Sequence, residues 1–225
     1  TANTHAGKAM AEVFPHFFML DLPKLVEWEK VDWRGLDAVF CGLPHGTTQE
    51  IIAAVLAANP KIKILDMSAD FRLRDAATDA EWYGHPHQAP ELQKEAVYGL
   101  TELYRDAITQ ARLVACPGCY PTATLLALVP IAKAGLIHAD DIIVDAKSGV
   151  TGAGRGLKQN TLFSEAGEGL SPYSIGKHRH APEIEQEIGV AVGARVTVNF
   201  TPHLIPMARG ELCTCYVRLN GASAD

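Results

Sequence analysis

The stretch from Asp37 to Met67 restricts the fold more than any other part of the chain. Asp37–Cys41 (DAVFC) reads as a short apolar strand and Gly42-Leu-Pro-His-Gly46 as the loop after it. Thr47 or Thr48 can cap a helix over about Gln49–Ala58, Asn59-Pro60 ends it, and Lys63–Met67 (KILDM) is the next strand. A strand–helix–strand unit dictates a parallel sheet with helices on its faces. Leu113–Ala115 adds a strand, followed by the turn CPGCYPT and a long apolar helix to about Ala134. From about Asp141 the pattern changes. Asp141–Lys147 (DIIVDAK), Arg195–Phe200 (RVTVNF) and Glu211–Leu219 (ELCTCYVRL) read as long strands. In the last, Leu212, Thr214, Tyr216 and Arg218 fall on one face and Cys213, Cys215 and Val217 on the other. The expected class is α/β: a parallel-sheet domain over residues 1–115, then an α+β domain over 116–225 with a mixed or antiparallel sheet.

With 225 residues, 48% of them hydrophobic, the chain can bury a substantial core. A net charge of −6 argues against an extended nucleic-acid surface. The longest apolar run, Ala123–Ala134, is too short to span a membrane and is broken by Pro130. Five cysteines, an odd number, argue against a fully paired disulfide framework and for a reducing, cytoplasmic compartment. The opening TANTHAGKAM and the ending RLNGASAD both read as cut points of a longer protein.

Chemistry concentrates in a few stretches. In ACPGCYPTAT, Cys119 stands where a strand ends and a helix begins, so the helix dipole and free backbone N–H groups would favour its thiolate and could hold an oxyanion. Cys116, on the strand side, gets no such help. Cys-x-x-Cys can also be half a zinc site, completed by His178 and His180, a redox pair, or buried packing. Cys41, Cys213 and Cys215 read as core residues. In YSIGKHRHAPEIEQEI, His178 and His180 with Lys177 and Arg179 make a positive loop suited to an anion, and one His suits proton transfer. Ser148–Gly156 (SGVTGAGRG) offers close backbone approach and the charge of Arg155, without a dinucleotide or P-loop spacing. Asp66–Asp75 (DMSADFRLRD) follows a strand end, where ligands lie in open parallel sheets, and Arg72 or Arg74 could grip an anion there.

Taken in order, FCGLPHGTTQEI, LDMSADFRLRD, VYGLTEL, PGCYPTATLLAL, DAKSGVTGAGRG, GKHRHAPEIEQ and FTPHLIPMARGELCTCYV resemble the N-acetyl-gamma-glutamyl-phosphate reductase family, which belongs with the semialdehyde dehydrogenases. The resemblance runs from about residue 39 to 217, and PGCYPT followed by HRHxPEI is its most specific part. It implies an incomplete Rossmann-like domain followed by a catalytic and dimerisation domain. It implies NADP, with NAD not excluded, and a small-molecule substrate with phosphate. A homo-oligomer, dimer or tetramer, is expected, with no nucleic-acid or membrane partner.

The same resemblance makes Cys119 the nucleophile that forms a thioester and His178 its acid/base. His180, Arg72, Arg155 and Glu102 become substrate contacts, and Pro44, Ser148, Gly149 and Gly152 cofactor contacts. Two departures stand out. Such enzymes usually carry Asn at the position of Cys116, and they open with a glycine-rich turn that this chain lacks before Asp37, so an internal piece of about two-thirds of an enzyme is expected. A binding protein that keeps the fold without catalysis, and a zinc site of Cys116, Cys119, His178 and His180, are the competing readings.

Overall fold

The computed structural model describes residues 3–221; the outermost residues of the two ends read as cut points lie outside the described residues. A short helix α1 (Met10–Val13) and 3-10 turns precede the first sheet. Then follow β1 (Ala38–Cys41), α2 (Thr48–Ala58), β2 (Lys63–Asp66), α3 (Ala76–Tyr83), α4 (Pro90–Glu95), β3 (Val97–Tyr98), α5 (Thr101–Gln110) and β4 (Leu113–Ala115). The second half holds α6 (Cys119–Lys133), β5 (Ile137–Ser148), α7 (Phe163–Ala166), β6 (Ser171–Pro172), α8 (Ala181–Val192), β7 (Val198–Leu204) and β8 (Glu211–Leu219).

The first sheet has the order β1-β2-β4-β3 and every pair in it is parallel. Cys41, Ile52, Val55, Ile62, Ile64, Phe71 and Leu113 form its buried core. The second sheet, β6-β7-β5-β8, is mixed: β5 runs parallel to β7 and antiparallel to β8, and β6 is antiparallel to β7. Its inner face packs on α6 and α8 through Leu125, Leu128, Ile142, Val144, Ile184, Ile188 and Phe200. Tyr98 and Leu100, at the end of the first sheet, are buried in this second core. Cys213, Cys215 and Val217 pack on the core, while Leu212, Tyr216 and Arg218 face outward, as alternation predicts.

Three expectations need correction. The strand expected over Asp141–Lys147 is longer, Ile137–Ser148, with an irregularity between Ile137 and Ile142. The strand expected at Arg195–Phe200 lies at Val198–Leu204, continuing through Pro202. Its register against β5 and the Glu185 carboxylate, which accepts from the Val198 N–H at 2.9 Å, fix where it starts. Finally, neither Thr47 nor Thr48 caps α2 with its own side chain. The Thr47 hydroxyl donates to the Pro44 carbonyl at 2.6 Å. A distant carboxylate, Asp70, accepts instead from Gly46 N–H (2.7 Å), Thr48 N–H (3.2 Å) and the Thr48 hydroxyl.

Candidate active site

Parallel strands end on one edge of the first sheet, and the chain turns there from β4 into α6. Cys116 N–H continues the ladder by donating to the Asp66 carbonyl at 2.7 Å, so its backbone, not its side chain, does the local work. Gly118 is the N-cap, with extended backbone, and α6 begins at Cys119 itself. A Cβ at Gly118 would sit 2.4 Å from His180 Nε2, so the close approach of α8 to this turn requires glycine. The Gly118 N–H donates to Glu183 Oε1 at 2.9 Å, and the Tyr98 hydroxyl donates to the same oxygen at 2.7 Å. Glu183 is fully buried. Burial pushes its carboxyl above the ordinary range, while Arg72, the Gly118 N–H and the Tyr98 hydroxyl oppose that shift.

Cys119 is the only one of the five free cysteines that is exposed. Together with Tyr120, Ser148, Tyr173, Lys177, His178 and His180 it lines a cavity of about 390 Å³. Despite its exposed edge, the thiol is pushed up to about 12, first by the burial around it, then by the Glu211 carboxylate as hydrogen-bond acceptor and as charge. The backbone N–H groups of Tyr120 and Cys119 pull the other way and lose. The thiolate expected from the helix terminus is therefore not the resting form: the short-range dipole effect is outweighed by burial and a facing carboxylate.

His178 lies half-buried among the rings of Tyr120, Tyr173, His180 and Phe200, with centroids 4.7–5.7 Å away. Its Nδ1 accepts from the His180 N–H at 3.1 Å, so the neutral ring carries its proton on Nε2. Burial and then Arg179 lower it to about 4. Burial and then His178 lower His180 to about 2. The positive charge expected of this loop is thus carried by Lys177 and Arg179, both exposed and both on the cavity wall, while the imidazoles are neutral. Ser174, with φ at 48°, closes a turn in which Lys177 N–H donates to the Ser174 carbonyl at 3.0 Å, and this turn presents Lys177 and His178 to the cavity.

The remaining sequence candidates divide. Arg72 borders the cavity, but its donors are committed: Nε to the Cys116 carbonyl (2.7 Å), Nη2 to the Met67 carbonyl (3.1 Å) and Nη1 to Glu183 (3.4 Å). It braces the turn rather than standing free for an anion. Ser148 and Gly152 line the cavity. Gly149 is buried, and a Cβ there would meet the Arg209 backbone at 2.8 Å, so this glycine serves packing. Arg155 stacks on Phe14, 4.6 Å from the ring, and Glu102 is exposed in the first turn of α5; neither lines the cavity. Pro44 is exposed beside His45, which does line it. Among the described residues no group of three or more His, Cys, Asp or Glu could hold a metal ion, so the Cys116–Cys119–His178–His180 zinc set does not form. Sequence reading passed over Glu183 and Glu211. Glu183 had a signal, since an acid three residues after His180 sits in the first turn of a helix that closes on the cysteine turn.

The cavity reaches the end of the parallel sheet. His45, on the loop after β1, and Ala69, after β2, border it at the carboxyl ends of parallel strands, where dinucleotides bind. Among the described residues no glycine-rich strand-to-helix turn precedes β1, so a diphosphate cradle is not part of what they offer.

Comparison with known proteins identifies the two halves of the chain. The semialdehyde dehydrogenase NAD binding domain matches residues 1–111, and the semialdehyde dehydrogenase dimerisation domain matches residues 119–225. An N-acetyl-gamma-glutamyl-phosphate reductase of Rhodospirillum rubrum is 58% identical over 97% of this chain. A probable chloroplastic one of Arabidopsis thaliana is 57% identical over 97%. The chain spans 62% of the length of the first of these and 54% of the second. An aspartate semialdehyde dehydrogenase from Francisella tularensis shares the fold with a TM-score of 0.65 at 15% identity, over 99% of this chain and 68% of that one. One with NADP from Candida albicans gives 0.62 at 12%, over 100% and 64%. The chain belongs to the semialdehyde dehydrogenase family and groups with its members named N-acetyl-gamma-glutamyl-phosphate reductase.

Proposed function

We propose that the chain carries the acyl-transfer centre of an NADP-dependent reductase that converts N-acetyl-L-glutamyl 5-phosphate to N-acetyl-L-glutamate 5-semialdehyde, a step of arginine biosynthesis. The observation that carries this reading is the placement of Cys119: the one exposed cysteine, at the N-terminus of a long helix, on the wall of a cavity rimmed by Lys177 and Arg179. Lys177 and Arg179 suit the phosphate and carboxylate of the substrate. Cys119 sulfur attacks the acyl carbon, the carbon–phosphate oxygen bond breaks, and phosphate leaves a thioester behind. His178 Nε2–H donates to the acyl oxygen as negative charge develops there. NADPH, when bound, supplies the hydride. His45, Ser148 and Gly152 are the residues proposed to meet its nicotinamide end, beside Pro44.

The outward face of the second sheet, with Ile143, Leu212 and Tyr216 each about half exposed, suits a homodimer or tetramer, in keeping with the matched dimerisation domain. Five unpaired cysteines fit a cytoplasmic setting, and no helix among the described residues is long and apolar enough to cross a membrane.

The test needs no cofactor. Incubation with N-acetyl-L-glutamyl 5-phosphate should release phosphate and leave an acyl adduct that peptide mass spectrometry places on Cys119, and the adduct should be absent in Cys119→Ser. A folded protein that releases no phosphate, or that is acylated elsewhere, contradicts the reading and favours a binding protein that has kept the fold.

A further inference from the structure

The cavity around Cys119 has three cations on its wall, Lys158, Lys177 and Arg179, and no Asp or Glu. None of the three forms an ion pair among the described residues. Such a wall suits anionic groups and offers an ammonium no counter-charge, so an amino-acid derivative is accepted here with its nitrogen as a neutral amide. Three residues of the wall, Asn160, Tyr173 and Leu204, also line a second recess of about 220 Å³. Ala166, Pro172 and Glu165 lie on that recess and not on the cavity. The shared wall is held in place from several sides. The Tyr173 N–H donates to the Pro202 carbonyl at 3.0 Å, the Tyr173 and Tyr120 hydroxyls lie 3.0 Å apart in a hydrogen bond, and Ser171 of β6 pairs with Leu204 of β7. Asn160 stands in a 3-10 turn, Gln159–Thr161. Its neighbour Thr161 spends its hydroxyl on the Lys158 carbonyl at 2.9 Å, whereas the Asn160 carboxamide makes no hydrogen bond among the described residues. An amide donor and an amide acceptor thus stand free where cavity and recess meet.

We propose that the recess is an N-acyl subsite. This deepens the acyl-transfer reading above and rests on it. With the acyl phosphate at Cys119, the Asn160 carboxamide hydrogen-bonds the substrate's own amide, and the acyl chain enters the recess against Ala166, Pro172 and Leu204. A neutral chain gains apolar contact there. A volume of about 220 Å³ leaves room beyond an acetyl group, so a butanoyl chain also fits. A chain that ends in a carboxylate meets Glu165, and the like charges oppose it. The subsite therefore selects neutral N-acyl chains as a class, by shape and by charge, and acetyl is one member of that class.

The experiment measures phosphate release in a single turnover, without cofactor, from four acyl phosphates. One is acetyl phosphate, which has no N-acyl chain; the others are the N-acetyl, N-butanoyl and N-succinyl derivatives of L-glutamyl 5-phosphate. Wild type should react with the N-acetyl and N-butanoyl esters within about threefold of each other, and with the N-succinyl ester about fivefold more slowly or worse. Asn160→Ala should lower the rate with the N-acetyl ester relative to acetyl phosphate by about tenfold. Ala166→Phe, which fills the recess, should lower the rate with the N-butanoyl ester relative to acetyl phosphate by about tenfold or more. Glu165→Gln should raise the rate with the N-succinyl ester relative to the N-acetyl ester by about threefold, a gain that no loss of folding produces. An N-butanoyl ester rejected as strongly as the N-succinyl one, or variants that change all four rates by the same factor, overturns the proposal. If wild type releases no phosphate from any of the four, the acyl-transfer reading fails and the subsite falls with it. If wild type reacts and the variants keep its rate ratios, only the subsite is misassigned.

Discussion

Two strand-to-helix turns stand on the same edge of the parallel sheet, after β1 and after β4, and each receives a buried carboxylate from elsewhere in the chain. At the start of α2, Asp70 accepts from Gly46 N–H, Thr48 N–H and the Thr48 hydroxyl, so the helix N-terminus is occupied by the protein's own anion. At the start of α6, Glu183 takes a single backbone donor of the turn, the Gly118 N–H, and stops one residue short of Cys119. The N–H groups of Cys119 and Tyr120 remain beside the sulfur. Similar local geometry thus yields a sealed turn in one place and an open one in the other, and the difference lies in how many backbone donors a distant carboxylate consumes.

The sharpest break of this comparison is Cys119→Ser, which should abolish the thioester and lower phosphate release by about a thousandfold or more while leaving the fold intact. Phosphate release from the acyl phosphate reads it directly. Glu183→Gln keeps acceptors for Gly118 and Tyr98 but leaves the Arg72 guanidinium buried without a counter-charge. It should cost about 3–5 kcal/mol in urea unfolding, because a single charge is left unpaired in the interior.

Acid should weaken the second turn through its imidazoles. His178 and His180 have folded-state values below the ordinary 6.5, so the unfolded chain takes up protons first. Their contribution is intact above pH 6.5 and falls as the pH drops towards 4, by about 1.4 kcal/mol per pH unit for each ring. Unfolding midpoints measured across that range should decline, and less steeply in His178→Asn. Asp70→Asn is the mildest change: it should cost about 1–3 kcal/mol at the sealed turn and leave thioester formation within about twofold of wild type.

The sequence carried the local part of this picture. Apolar runs bounded by loops placed β1, α2, β2, β4 and β8 to within a residue or two, because those segments are set by burial on a pleat or a helix face. The cysteine turn was legible for the same reason, since Pro117-Gly118 can only be a turn at the strand end. The long-range partners were not. Nothing near Cys119 in the chain announces Glu211, and Arg72 looks like a free anion contact until Glu183 and the Cys116 and Met67 carbonyls occupy it. The charge state of the site misled for a related reason: helix position is visible in sequence, while the desolvation that holds Cys119 as a thiol and His178 neutral depends on what packs around them. Glu102 came from motif likeness alone and Arg155 from the charge it lends a glycine-rich stretch, and the structure puts neither in the cavity wall.

The most direct test is the pH dependence of alkylation at each of the five cysteines, read by peptide mass spectrometry on the folded protein. The account predicts that Cys119 is the cysteine alkylated fastest, because it alone is exposed. Its rate should keep rising about tenfold per pH unit beyond pH 9, because it rests as a thiol held towards 12. A rate at Cys119 that levels off below pH 8 would mean a resting thiolate, and would contradict the protonated nucleophile.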